Sequence, residues 1–344
     1  MRAFLAVLIL AATMSASAHE AGGTHEAVGT HEAVGTHEAV GTHERLGAGG
    51  PEGSGTWRAA APAPAPRSEV AVAALAGLAY VIGDYNGATG LLVRDPATGA
   101  WGTGAAFPTP IHHAMAAGFG DRVYVFGGYG AGWRASDRVW AYDQKADAWS
   151  PRAPMPSARA AGGAVAIGDR IHVVGGSVSG GGNAADHAVY DPARDRWTEA
   201  AALPTRRDHL AVQAVDGRLV AIGGRIDGDP ARNRTVTEIY DPAADAWRTG
   251  APMPTARSGA AAAVLGGRIF VMGGESDART FGAVEAYDPA RDVWTRHAPL
   301  PTPRHGFGAI VANGRIHTLV GSPKPGGDRS SLVEVLDLGD GARR

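Results

Sequence analysis

Six tryptophans, Trp57, Trp101, Trp149, Trp197, Trp247 and Trp294, recur every 44 to 50 residues along a 344-residue chain. Each sits at the same place in a repeated pattern. Ten residues after each lies a position that is Arg in five units (Arg67, Arg159, Arg207, Arg257, Arg304) and Ile111 in the other. Sixteen residues further on is Gly83, Gly127, Gly175, Gly223, Gly273 or, in the last unit, Val320. An Asp (Asp95, Asp143, Asp191, Asp241, Asp288) stands six residues before the next Trp, and Asp337 holds that place in the last unit. Only the stretch from Gly to Asp changes length, between 12 and 18 residues, so all variation falls in one connection per unit.

Within a unit the segments read as short strands. Arg268 to Gly274 and Arg170 to Gly176 are β-branched and apolar and follow a Gly-containing turn. A strand of small residues precedes that turn, as in Gly259 to Leu265. A third, such as Val284 to Tyr287, ends at Asp288-Pro289, where the proline cannot donate to a ladder. The Trp lies on a fourth. Four antiparallel strands in roughly 50 residues, with two glycines closing the second, is the pattern of a propeller blade. Small residues suit an innermost strand, where blades crowd around the axis, and Trp and Tyr suit the wider spaces between blades.

With Arg, double Gly, Tyr-Asp-Pro and Trp in register from Trp57 to Leu338, the chain resembles the kelch family. The resemblance implies an all-β, six-bladed propeller. Local departures are Gly83-Asp84 for the double Gly, Ile111 for Arg and Val320-Gly321 in the last unit. Trp57 has no Asp six residues before it, and Asp337 has Arg343 where a Trp would fall. The segment around Trp57 is therefore expected to supply the outer strand of the last blade and close the ring.

The ends read differently. Met1 to Ala18 has Arg2, an apolar run and the small-residue site Ala16-Ser17-Ala18, the pattern of a signal peptide cleaved after Ala18, which implies a periplasmic or secreted protein. No other stretch approaches the ~20 apolar residues of a membrane span. Residues 19–54 contain the repeat Thr-His-Glu-Ala-Val-Gly, too poor in large apolar groups to bury a core, and read as a disordered leader. Its His19, His25, His31, His37 and His43 are candidate metal ligands, or the segment is a spacer. The propeller is assigned to residues 55–338 and a short tail to 339–344. With no cysteine there is no disulfide. A formal net charge of -2 gives no electrostatic reason to expect a nucleic-acid partner.

In an up-and-down blade, the connection into the inner strand and the variable loop share one mouth. The Arg row, with His112, His113, His209 and His305 within two residues of it, is thus placed beside loops that carry Trp133, Arg225 and Glu275. Converging guanidinium groups suit a carboxylate or other planar anion. They equally suit blade-to-blade bonding to backbone carbonyls or carboxylates. Candidate ligand-binding residues are Arg67, Arg159, Arg207, Arg257, Arg304, His112, His113, His305, Trp133 and Arg225; candidate acid and base groups are Glu275, Asp208 and His209. No nucleotide loop, nucleophile motif or cofactor signature is found. The favoured reading is an exported binding module for a sugar, protein or peptide ligand. The alternative is an enzyme, for which the resemblance points to the sialic acid mutarotases, also called N-acetylneuraminate epimerases. The copper-radical galactose oxidases are disfavoured because their cofactor needs a cysteine.

Overall fold

The computed structural model describes residues 55–339. The expected signal peptide, the whole of the expected leader (residues 19–54) with its metal candidates, and all of the tail but Gly339 lie outside the described residues.

Among the described residues the chain forms six four-stranded antiparallel sheets and one two-stranded ribbon. The sheets are the blades. Their first strands, Ala71–Leu75, Met115–Phe119, Gly163–Ile167, Ala211–Val215, Ala261–Leu265 and Gly308–Ala312, contact one another in sequence, and the last contacts the first, so they form a closed inner ring. Small residues are required there. A Cβ built on Gly163 would lie 2.1 Å from Val212, and one on Gly308 would lie 2.1 Å from Val72, both on the neighbouring inner strand.

Ring closure is by the strand Thr56–Ala59, which pairs antiparallel with Val333–Asp337 in the register Trp57 to Leu336. The last blade therefore takes three strands from one end of the chain and its outer strand from the other. No free edge is left where the ring meets itself.

The core is divided between blades. Each of six apolar clusters draws on two adjacent blades, as where Ile222 and Met253 meet Val271 and Tyr287. At the outer side of these interfaces the repeated Trp makes a polar clasp. Trp149, Trp197, Trp247 and Trp294 each donate Nε1–H to a carbonyl of the preceding blade, that of Ala105, Ala153, Ala201 and Ala251. The amide of that same alanine donates to Asp147, Asp195, Asp245 or Asp292, which also accepts from the blade's tyrosine hydroxyl. One residue's two backbone groups are thus held by a Trp and an Asp from the next blade. Trp57 repeats the contact across the closure, bonding Ala298 O at 2.8 Å.

Candidate functional site

The two alternatives for the Arg row are separated by burial. Arg159, Arg207, Arg257 and Arg304 are at most 1% exposed. Each is paired with a carboxylate of its own blade: Asp186, Glu238, Glu285 and Glu334 respectively. Most of the remaining Nη donors go to nearby oxygens, while Nε is bonded in Arg207 and has no partner in Arg159, Arg257 and Arg304. Arg207 gives Nε–H to Gly223 O at 2.7 Å and Nη2–H to Ala221 O at 3.0 Å, and Arg257 gives Nη2–H to Val271 O at 2.9 Å. A guanidinium this deeply buried and already paired with a carboxylate is shut off from a ligand at the mouth. The expectation that these four arginines clamp an anion is therefore corrected: they tie the entry to the inner strand to the second and third strands. Arg67 is buried as well, its charge lying near that of Asp84. In the second blade Ile111 takes the Arg place while Trp140 takes the Glu place, and both join one apolar cluster. The partners Glu238 and Glu285 had a sequence signal, a Glu two residues before the repeated Tyr.

The residues just after the Arg row build the mouth. Two positions beyond each row residue the backbone is left-handed: Glu69, His113, Ala161, His209, Gly259 and Gly306 have φ between 51° and 64°. Their amides form a closed circle around the axis. His113 N donates to Glu69 O (2.9 Å), Ala161 N to His113 O (2.7 Å), His209 N to Ala161 O (2.7 Å), Gly259 N to His209 O (2.9 Å), Gly306 N to Gly259 O (3.0 Å) and Glu69 N to Gly306 O (2.7 Å). Every blade gives one donor and one acceptor. Gly306 has a second reason to lack a side chain, since a Cβ there would lie 2.6 Å from Glu69 Oε1.

Side chains from this circle and from the loops beside it meet in one polar cluster. Glu69 lies 3.1 Å from His113 Nε2 and 3.0 Å from His305 Nδ1. His305 Nε2 is 3.3 Å from Glu275, whose other oxygen accepts from Arg225 at 2.7 Å. Arg225 also donates to Asp208 at 3.3 Å and to His209 Nε2 at 2.9 Å. His209 Nδ1 is 2.5 Å from Asp208 Oδ1, so its proton sits on Nδ1 and Nε2 keeps the lone pair that Arg225 uses. The other Asp208 oxygen accepts from Asn183 at 2.5 Å and from Gly228 N at 2.8 Å. The structure thus brings together Asp208, His209, Glu275, Arg225, His113 and His305. Glu69 was missed by sequence reasoning. Its only signal was its place, two residues past Arg67, matching His113 and His209.

Burial is the largest single influence on Glu69, His112, His113, Asp208 and His305, but it sets the direction only for His112 and His113. It pushes His113 down to about 3 against the pull of Glu69, and pushes His112 down as well. For Glu69, burial acts upward but is outweighed by His113 and His305, which hold the carboxyl below the usual range. His305 is also opposed by burial, yet the hydrogen bond and charge of Glu69 and the charge of Glu275 raise it. Asp208 falls below its usual value because its hydrogen bonds outweigh its burial.

Above this cluster is an aromatic group. Trp133 is 53% exposed, the more open of the two exposed large apolar side chains among the described residues. Its ring is 5.8 Å from Tyr85, 4.7 Å from His112, 5.1 Å from Tyr129 and 5.7 Å from His113. Its backbone is left-handed, φ 56°, a conformation that costs a bulky residue about 1–2 kcal/mol. The short 3-10 turn Ala131–Trp133 thus holds an indole beside His112 and His113 at a conformational cost.

A family model described as the KLHDC2/KLHL20/DRC7 Kelch-repeats domain matches residues 163–339, and one described as the Kelch motif matches residues 112–156. No curated protein matches the chain. Among solved structures, one described as "Structure of YjhT" superposes with a TM-score of 0.71 at 16% identity, covering 80% of this chain and 95% of that one, a likeness of fold.

Proposed function

The chain belongs to the kelch-repeat family, whose propellers are generally binding modules, and we propose that this one recognises a carbohydrate at the mouth capped by Trp133. The observation that carries the reading is the exposed, conformationally strained indole beside Tyr85, Tyr129 and His112, in ring contact with His113 of the buried polar cluster. Aromatic faces stack on the C–H surface of a sugar, while nearby polar groups take its hydroxyls, the combination typical of small-molecule sites. The variable loops bear most of these residues, which is where specificity resides on a constant scaffold. The signal-peptide pattern of Met1 to Ala18 supports an exported protein that meets its ligand outside the cytoplasm.

A glycan array and a peptide array run in parallel test this. Binding to a glycan family is expected, with affinity falling at least about tenfold in Trp133→Ala, roughly 1.4 kcal/mol. Binding to peptides alone, or glycan binding indifferent to Trp133, removes the proposal.

A second reading, mutarotation of a carboxylated sugar such as sialic acid, is favoured by one observation. The acid and base candidates Asp208, His209 and Glu275 all contact Arg225, so proton-transfer groups and a guanidinium lie together beneath the mouth. Following anomer interconversion of N-acetylneuraminate by NMR tests it; no acceleration at micromolar protein ends it.

A further inference from the structure

We propose that Glu69, His113 and His209 form a binding site for a divalent transition-metal ion, of the two-histidine, one-carboxylate kind, at the axial cap of the propeller. One donor atom from each lies within 4.8 Å of the other two. The closest pair, His113 Nε2 and Glu69 Oε2, is 3.1 Å apart. Ligand bonds of about 2.0–2.2 Å place neighbouring donors about 3 Å apart, so modest side-chain rotation completes the set.

The arrangement around the three residues is what a metal site requires. In such sites the far atom of each ligand is fixed by a partner, which sets the tautomer and aims the near atom. Here His209 Nδ1 is held by Asp208 at 2.5 Å, His113 Nδ1 faces His112 Nδ1 at 2.6 Å, and Glu69 Oε1 faces His305 Nδ1 at 3.0 Å. The atoms left over are His209 Nε2, His113 Nε2 and Glu69 Oε2. Asp208 is itself anchored by Asn183 and Gly228 N. The backbone is fixed too, because all three residues belong to the closed circle of amide bonds. Three carboxyl groups lie in this cluster, Asp208 and Glu275 against the Arg225 guanidinium and Glu69 against His113 and His305.

Arg225 is the competitor. Its Nη2 donates to His209 Nε2 at 2.9 Å, and that bond must open for the ion to coordinate. Three protein ligands leave positions for water or a ligand oxygen, as in sites that act on a substrate rather than hold a fold. Trp133 is close by, its ring 5.7 Å from that of His113. The site stands whether or not the mouth binds a sugar.

The test uses the full chain with His19, His25, His31, His37 and His43 replaced by alanine, so that uptake by the leader does not contribute. Titration with Co²⁺, followed by visible d–d absorption, is expected to saturate at one ion per chain and to reverse on adding Zn²⁺. Glu69→Gln and His209→Ala are each expected to weaken uptake by at least about tenfold. Arg225→Gln is expected to strengthen it, an outcome that general damage to the site would not give. Thermal melts with EDTA and with Zn²⁺ cover a variant that fails to fold, since the parent itself must gain melting temperature with Zn²⁺. No uptake by the parent at stoichiometric Co²⁺, no rise in its melting temperature, or uptake that survives both Glu69→Gln and His209→Ala overturns the proposal.

Discussion

A buried arginine and its carboxylate are a unit, and the energetics of the row follow from that. Removing Glu285 leaves the Arg257 guanidinium buried without its counter-charge, a change that costs about 3–5 kcal/mol. Glu285→Ala is therefore expected to lower the denaturation midpoint strongly, while Arg257→Leu with Glu285→Leu recovers much of the loss. Neither variant is expected to change ligand affinity at the mouth; a wild-type midpoint for Glu285→Ala removes the structural assignment. Histidines inside the blades give a second residue-scale expectation. His172 Nδ1 lies 2.9 Å from His187 Nε2, and burial pushes both down to about 4. Their folded values lie below the unfolded value of about 6.5, so the unfolded chain takes up protons that the folded one does not. Stability falls as pH drops from about 6.5 toward 4. His305, raised by Glu69, acts in the opposite sense, adding stability that is full below the unfolded value and lost as pH rises through the folded one. Melting His172→Gln across this range is expected to show a shallower acid loss than wild type; an unchanged slope assigns the acid limb elsewhere. The Arg row was legible in sequence as a period, but its role was not, because a side chain's burial depends on a carboxylate some thirty residues away.

At the scale of the strand, the inner ring is limited by volume. Gly163 faces Val212 so closely that an added methyl must displace it. Overpacking of this kind typically costs about 1–3 kcal/mol. Gly163→Ala is expected to lose that amount, and Val212→Ala in the same chain is expected to restore part of it. Additive losses in the double variant would show that the two strands are not in the tight contact described. The strand order and the outer Trp were readable because their chemistry repeats: small residues inside, a Trp and an Asp outside. The amide circle was not, since Glu69, His113, Ala161, His209, Gly259 and Gly306 share a backbone conformation and no side-chain property. Four residue types over six positions at one offset look like noise in a sequence. They become one element only when the ring brings them together, and the polar cluster was hidden for the same reason. Its members come from five blades, with Glu69 three blades away from His209 in ring order.

For the whole propeller, the decisive contact is the one between its ends. The strand Thr56–Ala59 adds its hydrogen bonds to Val333–Asp337, and Trp57 clasps Ala298 as the other outer tryptophans clasp their neighbours. Leu336 and Leu338 share an apolar cluster with Trp57, so this strand also seals the core between the fifth and sixth blades. Deleting Gly55 to Ala61 exposes that core and leaves Val333–Asp337 as an open edge, which favours pairing with other chains. The deleted chain is expected to melt lower and to associate. Losing any seven residues from an end could weaken a protein, so a rearrangement isolates closure as the cause. The spacing of Asp337 to Arg343 reproduces the six residues that separate Asp from Trp in the other blades. Trp57 to Ala63 placed directly after Ala342, in a chain that begins at Pro64, gives the last blade a continuous fourth strand and breaks a bond elsewhere. If closure by strand pairing is what the N-terminal segment contributes, this permuted chain melts close to the original and far above the deleted one. If it melts with the deleted chain, the covalent order of the ends matters in its own right and the ring is held by something other than its last strand.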